Sequence, residues 1–308
     1  MPAFVMLAVG LALLVFGADR LIVGARVVAS AAGVSSFVVG LTVVAFGTSA
    51  PELAAAIGLA MQGHTDAAVG TVVGSNIANV GLILGLVAVF RPIKVHRHIV
   101  KRDVAVMVLI SFVTAALMWG GRINRLESGL LALGIVIYVV SAYTGGRNKC
   151  QEESPPVNGR AVFVGVLFSI LGAVVMAGGA KVMVMGAEQL AQALGVPEFV
   201  IALTLVAFGT SLPELVTSIR AAFSGESDLA VGNIIGSNVF NMLAVLGITG
   251  LVAPLEVPAT VPGRDIWFML GAAVLCLPIM STGGRITRGE GLFLVIGYLT
   301  YVAVVFAS

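Results

Sequence analysis

The segment GTSAPEL at 47–53 returns as GTSLPEL at 209–215, and GSNIAN at 74–79 returns as GSNVFN at 236–241. Both pairs are separated by the same distance, since 214 − 52 = 162 and 241 − 79 = 162. That shift also superposes Gly17 on Gly179, Gly24 on Gly186, Gly33 on Gly195, Gly85 on Gly247, Pro92 on Pro254 and Arg102-Asp103 on Arg264-Asp265, with no gap between. The chain is an internal duplication, so its fold must be assembled from two similar units.

The solvent of those units follows from composition. Hydrophobic residues make up 59% of the chain and charged residues 10%, against about a quarter charged in soluble domains. At about 20 apolar residues per crossing, 308 residues accommodate up to ten short-looped helices and no sizeable extramembrane domain. Apolar runs predict helices near 3–32, 35–62, 67–90, 103–119 and 126–143, then 161–194, 197–223, 229–252, 265–281 and 288–307. The first run is too long for the apolar region of a cleaved signal peptide and has no basic stretch before it, so it reads as a retained helix. The expected architecture is all-α and integral to the membrane, with a first five-helix repeat at 1–143, a linker at 144–160 and a second repeat at 161–308. Five is odd, so the second copy enters the bilayer from the opposite side and the repeats have inverted topology.

Loop cations set the orientation. Arg91, Lys94, Arg97, Lys101, Arg102, Arg147, Lys149, Arg160, Arg220, Arg285 and Arg288 follow odd-numbered spans, whereas Arg122, Arg125 and Arg264 are the three on the other side. This predicts a cell-membrane protein with both termini outside and the linker TGGRNKCQEESPPVNGR in the cytoplasm. Cations confined to loops make the net charge of +2 no basis for nucleic-acid binding. Cys150 and Cys276 are too far apart in sequence, and too differently placed, to suggest a disulfide framework or a cysteine metal site.

Against this background Glu52 and Glu214 stand out. A carboxylate at mid-membrane costs about 2.5–3.5 kcal/mol on insertion scales and marks a functional site; here two occupy equivalent repeat positions. Pro51 and Pro213 precede them and cannot donate backbone hydrogen bonds. In a helix this frees the carbonyls of Gly47 and Gly209 and loosens those of Thr48 and Thr210. A helix broken at bilayer depth is tolerated where it lines a cavity. With the hydroxyls of Thr48, Ser49, Thr210 and Ser211, these segments offer the oxygen-only ligand set that calcium takes six to eight at a time. Ser75 and Asn79, like Ser237 and Asn241, are four apart and share a helix face, adding neutral oxygen ligands. Asn76 and Asn238 point roughly 60–80° away and are expected to bridge helices, as Asn does in bilayers. Glycines 70, 74, 81, 85, 232, 236 and 247 are expected at close helix contacts. Asp19, Lys181 and Glu188, inside spans 1 and 6, read as snorkelling or mutually paired groups. His64, His96 and His98 read as solvated, with no helical spacing for zinc.

With GTSxPEL and GSNxxN each present twice in inverted five-span halves, the sequence resembles the sodium/calcium exchanger family of the calcium:cation antiporter superfamily, over nearly its whole length. The resemblance implies ten transmembrane helices, with spans 2, 3, 7 and 8 as a central core and the long spans 1 and 6 sliding across it. It implies a cation site with Glu52 and Glu214 as carboxylates and the carbonyls of Thr48 and Thr210. Ser49, Ser75, Ser211 and Ser237 would flank it, Asn79 and Asn241 lie at its centre, and the carbonyls of Ala45 and Ala207 contribute further. Some relatives carry an aspartate at one central position; both are amides here, so the site holds at most two negative charges, which one Ca2+ or two Na+ would neutralise. The implied partners are Ca2+ and Na+ as transported ions and the lipid bilayer, with no cofactor and no protein partner indicated.

Ca2+/H+ antiport on the same scaffold is the nearest alternative, although GTSxPE is closer to the sodium-coupled branch. A cation channel is a different class, disfavoured because inverted repeats with broken mid-membrane helices belong to carriers. An intramembrane enzyme could use two buried carboxylates as an acid/base pair. No Ser/His, Cys/His or paired-histidine arrangement accompanies them, so no enzyme activity is expected.

Overall fold

A computed structural model describes residues 2–96, 99–150, 159–194 and 207–307. Its long helices are α1 Ala3–Ala32, α2 Ser36–Met61, α3 Thr65–Phe90, α4 Arg102–Trp119, α5 Arg125–Cys150, α6 Gly159–Ala193, α8 Ser227–Val252, α9 Val261–Ser281 and α10 Arg288–Ala307. The described part of α7 comprises Ala207–Thr210 and Leu212–Phe223. Nine of these are long and apolar enough to cross a membrane among the described residues. The expected start of span 7, at 197–206, lies outside them.

Local chemistry explains the boundaries. The chain leaves α1 through Gly33, whose φ of 66° suits a residue without Cβ, and Ser35 then accepts the Val38 N–H to cap α2. The α5 start is a reciprocal capping box in which Asn124 Oδ1 accepts from the Glu127 N–H at 3.0 Å and Glu127 Oε2 accepts from the Asn124 N–H at 2.8 Å. Thr287 and Glu290 repeat the device at the start of α10. At the centre of the chain α5 runs on to Cys150 and α6 begins at Gly159, so regular helix extends into both ends of the stretch expected as linker.

Two short antiparallel pairs test the topology. β1 (Ile93–Lys94) pairs with β4 (Arg285–Ile286), and β2 (Arg122–Ile123) pairs with β3 (Leu255–Glu256). β1 and β4 follow α3 and α9, so an even number of crossings separates them; β2 and β3 follow α4 and α8, with the same requirement. Both conditions hold only if α7 crosses as well, which makes ten spans with inverted repeats. The ladders are themselves related by the duplication: Ile93 faces Ile286, and Leu255 faces Ile123.

Small residues let the helices approach closely, which is how helices associate where lipid removes the usual hydrophobic drive. Gly10, Gly17 and Gly24 of α1 meet Gly179, Gly172 and Gly165 of antiparallel α6. A Cβ at Gly17 would lie 2.7 Å from the Gly172 oxygen, and one at Gly24 would lie 2.5 Å from the Gly165 oxygen. Gly232 and Gly236 likewise bring α8 onto the Phe37 and Leu41 carbonyls of α2, while Gly81 and Gly85 bring α3 onto α10. Gly247 does the same for α8 against α5. Gly70 and Gly74 have no such neighbour among the described residues, and the residues that would face them by symmetry, 199–203, lie outside these. The result is a layered bundle: 89% of the α8 span is buried, against 11% for α10. Asp19 of α1 pairs with Arg220 of α7 at 2.6 Å, rather than with a charge on α6, and Arg26 pairs with Glu226 at 2.9 Å. His96 lies 3.7 Å from Asp228, His64 is exposed, and His98 is outside the described residues.

Candidate functional site

Four helices, α2, α3, α7 and α8, carry most of the buried polar side chains. Thr48, Ser49 and Glu52 of α2, Ser75 and Asn79 of α3, Ser211 and Glu214 of α7, and Ser237 and Asn241 of α8 are all buried, the two glutamates at 1% exposure each. Ala45 is buried at the α2 end of the group. Thr210 is partly buried. Ala207 begins the short helical turn before Ser211.

The backbone reaches this arrangement differently in the two repeats. Proline was expected to break both motif helices. In α7 the break is real: Ser211 has φ −88° and ψ 0°, and Pro213 lies in the first turn of the helical segment that begins at Leu212, where its missing N–H is harmless. In α2, helix runs unbroken through Pro51, over Ala45–Met61, and the distortion falls earlier as a turn of π-helix at Gly40–Val44. π-turns also begin at the two central asparagines, spanning Asn79–Leu84 in α3 and Asn241–Val245 in α8. Such turns shift the hydrogen-bond ladder by one residue and concentrate at functional sites. The α3 π-turn packs against α7 and the α8 π-turn against α2, so each repeat contributes to the other's surroundings.

Side chains also meet across the repeats. Ser49 Oγ donates to Glu214 Oε1 at 2.9 Å, and Thr48 Oγ1 lies 3.4 Å from Ser237 Oγ. Glu52 Oε2, Glu214 Oε2, Ser211 Oγ and both amide atoms of Asn79 and Asn241 are buried with no hydrogen-bond partner among the described residues. Buried polar atoms are ordinarily paired, and an unpaired one costs about 1–3 kcal/mol. A cluster of them, rich in oxygen and carrying two carboxylates, is suited to replacing the hydration shell of a hard cation.

Two readings change. Among the described residues, Asn76 and Asn238 bond within their own helices and not across to another: each Nδ2 donates to a carbonyl four residues back, Val72 at 3.0 Å and Ile234 at 2.8 Å. Asn233, not singled out from the sequence, is fully buried beside Thr48. The repeat alignment holds the signal, because position 233 matches Thr71 and an extra amide in one repeat only breaks the pattern.

A predominantly helical membrane bundle of two inverted repeats, with a buried carboxylate from each and unpartnered oxygens on the four central helices, is the architecture of a cation transporter. The family described as sodium/calcium exchanger protein matches residues 2–144 and 164–307, and this chain belongs to it. Among its relatives, the sodium/calcium exchanger MaX1 of Methanosarcina acetivorans is 34% identical, covering 98% of each chain. The inner membrane protein YrbG of Escherichia coli is 34% identical, covering 99% of this chain and 97% of YrbG. Among solved structures, the sodium-calcium exchanger NCX_Mj superposes with a TM-score of 0.86 at 29% identity, covering 98% of both chains.

Proposed function

We propose that this protein is a secondary antiporter that exchanges Ca2+ for Na+ by alternating access. The transport site comprises Glu52, Glu214, Asn79, Asn241, Ser49, Ser75, Ser211 and Ser237, with the carbonyls of Thr48, Thr210, Ala45 and Ala207. The observation that carries this reading is the set of buried, unpartnered polar atoms on Glu52, Glu214, Ser211, Asn79 and Asn241. Two carboxylates without an intervening cation repel in a low-dielectric interior; a divalent ion between them turns that repulsion into attraction. The neutral oxygens complete a coordination number that carboxylates alone do not reach.

Sodium coupling is supported by the doubled GTSxPE motif and by the likeness to MaX1 and NCX_Mj, which are named for sodium and calcium. Cytoplasmic placement of the linker rests on the loop cations. Arg220 is engaged with Asp19 on the adjacent helix, and setting it aside leaves ten cations against three.

The test is calcium-45 uptake into proteoliposomes loaded with sodium, beside liposomes loaded with choline, the latter also under an imposed proton gradient. Uptake that requires internal sodium is the expected result. Uptake driven by the proton gradient alone would assign Ca2+/H+ antiport instead, and uptake in neither would leave the fold standing with the wrong substrate.

A further inference from the structure

Repeat symmetry is broken beside the site at one buried side chain. Asn233 of α8 is fully buried, whereas its equivalent, since 233 − 162 = 71, is Thr71 of α3. Thr71 merely donates back to the Ala67 carbonyl of its own helix at 2.9 Å. Asn233 instead links two other helices. Its Nδ2 donates to Ser218 Oγ of α7 at 3.0 Å, and its Oδ1 accepts from Thr48 Oγ1 of α2 at 3.1 Å. The equivalent of Ser218 is Ala56, because 218 − 162 = 56, so the first repeat has no means of making the same bridge.

Thr48 carries one hydroxyl proton, and oxygens of four residues surround it, the Glu214 carboxylate among them. Asn233 Oδ1 lies at 3.1 Å, the Ala45 carbonyl at 3.2 Å and Ser237 Oγ at 3.4 Å. A hydroxyl donates once, so Asn233 Oδ1 and the Ala45 carbonyl compete for that proton, whereas Ser237 Oγ can itself donate to Thr48. The Ala45 carbonyl already lies within hydrogen-bond distance and is the kind of backbone acceptor that Thr uses by default inside a helix, so removing the amide strengthens its claim on the proton.

We infer that Asn233 is a positioning residue of the transport site: held in orientation by Ser218, it draws the Thr48 hydroxyl away from the Ala45 carbonyl and keeps that oxygen available to a cation. The inference rests on the proposed transport site, in which Ala45 supplies a carbonyl ligand. It makes the two repeats chemically unequal although their motifs match.

The experiment compares Asn233→Ala, Ser218→Ala, Thr48→Val and the double variant Asn233→Ala/Thr48→Val in the full-length purified protein. Binding is read from thermal stabilisation by CaCl2 or NaCl, and transport from the KM and maximal rate of calcium-45 exchange. Asn233→Ala is expected to weaken the apparent affinity for at least one of the two ions by about 10-fold, the size seen when a ligand's outer partner is lost, with a smaller change in maximal rate. Ser218→Ala should shift the same affinity less. Thr48→Val keeps the backbone carbonyl and removes the competing hydroxyl, so adding Asn233→Ala to it should cause little further loss. Unchanged affinities for both ions in Asn233→Ala overturn the inference, as does a loss that persists undiminished in the double variant. If Asn233→Ala is not recovered folded, Ser218→Ala alone and combined with Thr48→Val makes the same comparison. Because melting reports binding directly, a wild-type chain that binds both ions without exchanging them overturns the exchange reading and not this one.

Discussion

Glu52 and Glu214 stood out in sequence because a membrane interior penalises charge, and the structure adds that each keeps one carboxylate oxygen without a partner among the described residues. If these oxygens hold the ion, Glu52→Gln and Glu214→Gln should each abolish sodium-dependent calcium uptake while leaving the protein folded, since glutamine keeps the shape and loses the charge. Full uptake by either variant in proteoliposomes would falsify the assignment. Eleven of the twelve expected site residues are buried or partly buried on four neighbouring helices, Ala45 and Thr210 among them. Legibility failed for Asn76 and Asn238, where the expectation of a bridge to another helix overlooked the carbonyl four residues back on the same helix. It failed for Asn233 because one amide among apolar residues looks like packing until its neighbours are known.

Apolar runs located nearly all the helices, to within a few residues, because hydropathy is a property of contiguous sequence. Their internal irregularities were not readable in the same way. Pro51 and Pro213 occupy matched positions, yet one lies inside an unbroken helix and the other in the first turn of a new segment. A missing N–H permits a break and does not dictate one; neighbouring helices decide. The α1–α6 pair offers the sharpest test at this scale. A Cβ at Gly172 would lie 2.5 Å from the Leu21 nitrogen and 2.6 Å from the Gly17 oxygen. Gly172→Leu should therefore force the helices apart and destabilise by about 1–3 kcal/mol or more, the usual range for overpacking. Gly271→Leu, on an exposed face of α9 with nothing within 4 Å, serves as the control. Equal melting temperatures for the two variants in detergent would contradict tight α1–α6 packing.

Over the whole molecule, inverted repeats place the β1–β4 ladder on one face and the β2–β3 ladder on the other. In a cysteine-free background, Arg122→Cys should react with an impermeant maleimide in intact cells, and Lys94→Cys only after permeabilisation; both side chains are exposed. The reverse pattern would invert the orientation drawn from loop cations. Transport should also slow on acidification, because a carboxylate must be deprotonated to hold a metal ion and protons compete for the same oxygens. A calcium-45 uptake rate that stays flat from about pH 8 to about pH 5, near the ordinary carboxylate range, would exclude such competition.

The sequence by itself determined the membrane setting, the helix count, the inverted duplication and the motif residues, because hydropathy and repetition are written along the chain. Only the tertiary structure decided which polar atoms meet and which stay unpaired. Ser49 bonds Glu214 across 165 positions and Thr48 meets Asn233 across 185, contacts that no local pattern encodes. They arise because glycine-mediated packing brings α2 against α8, and because the two repeats, read as copies in one dimension, face each other from opposite directions in three.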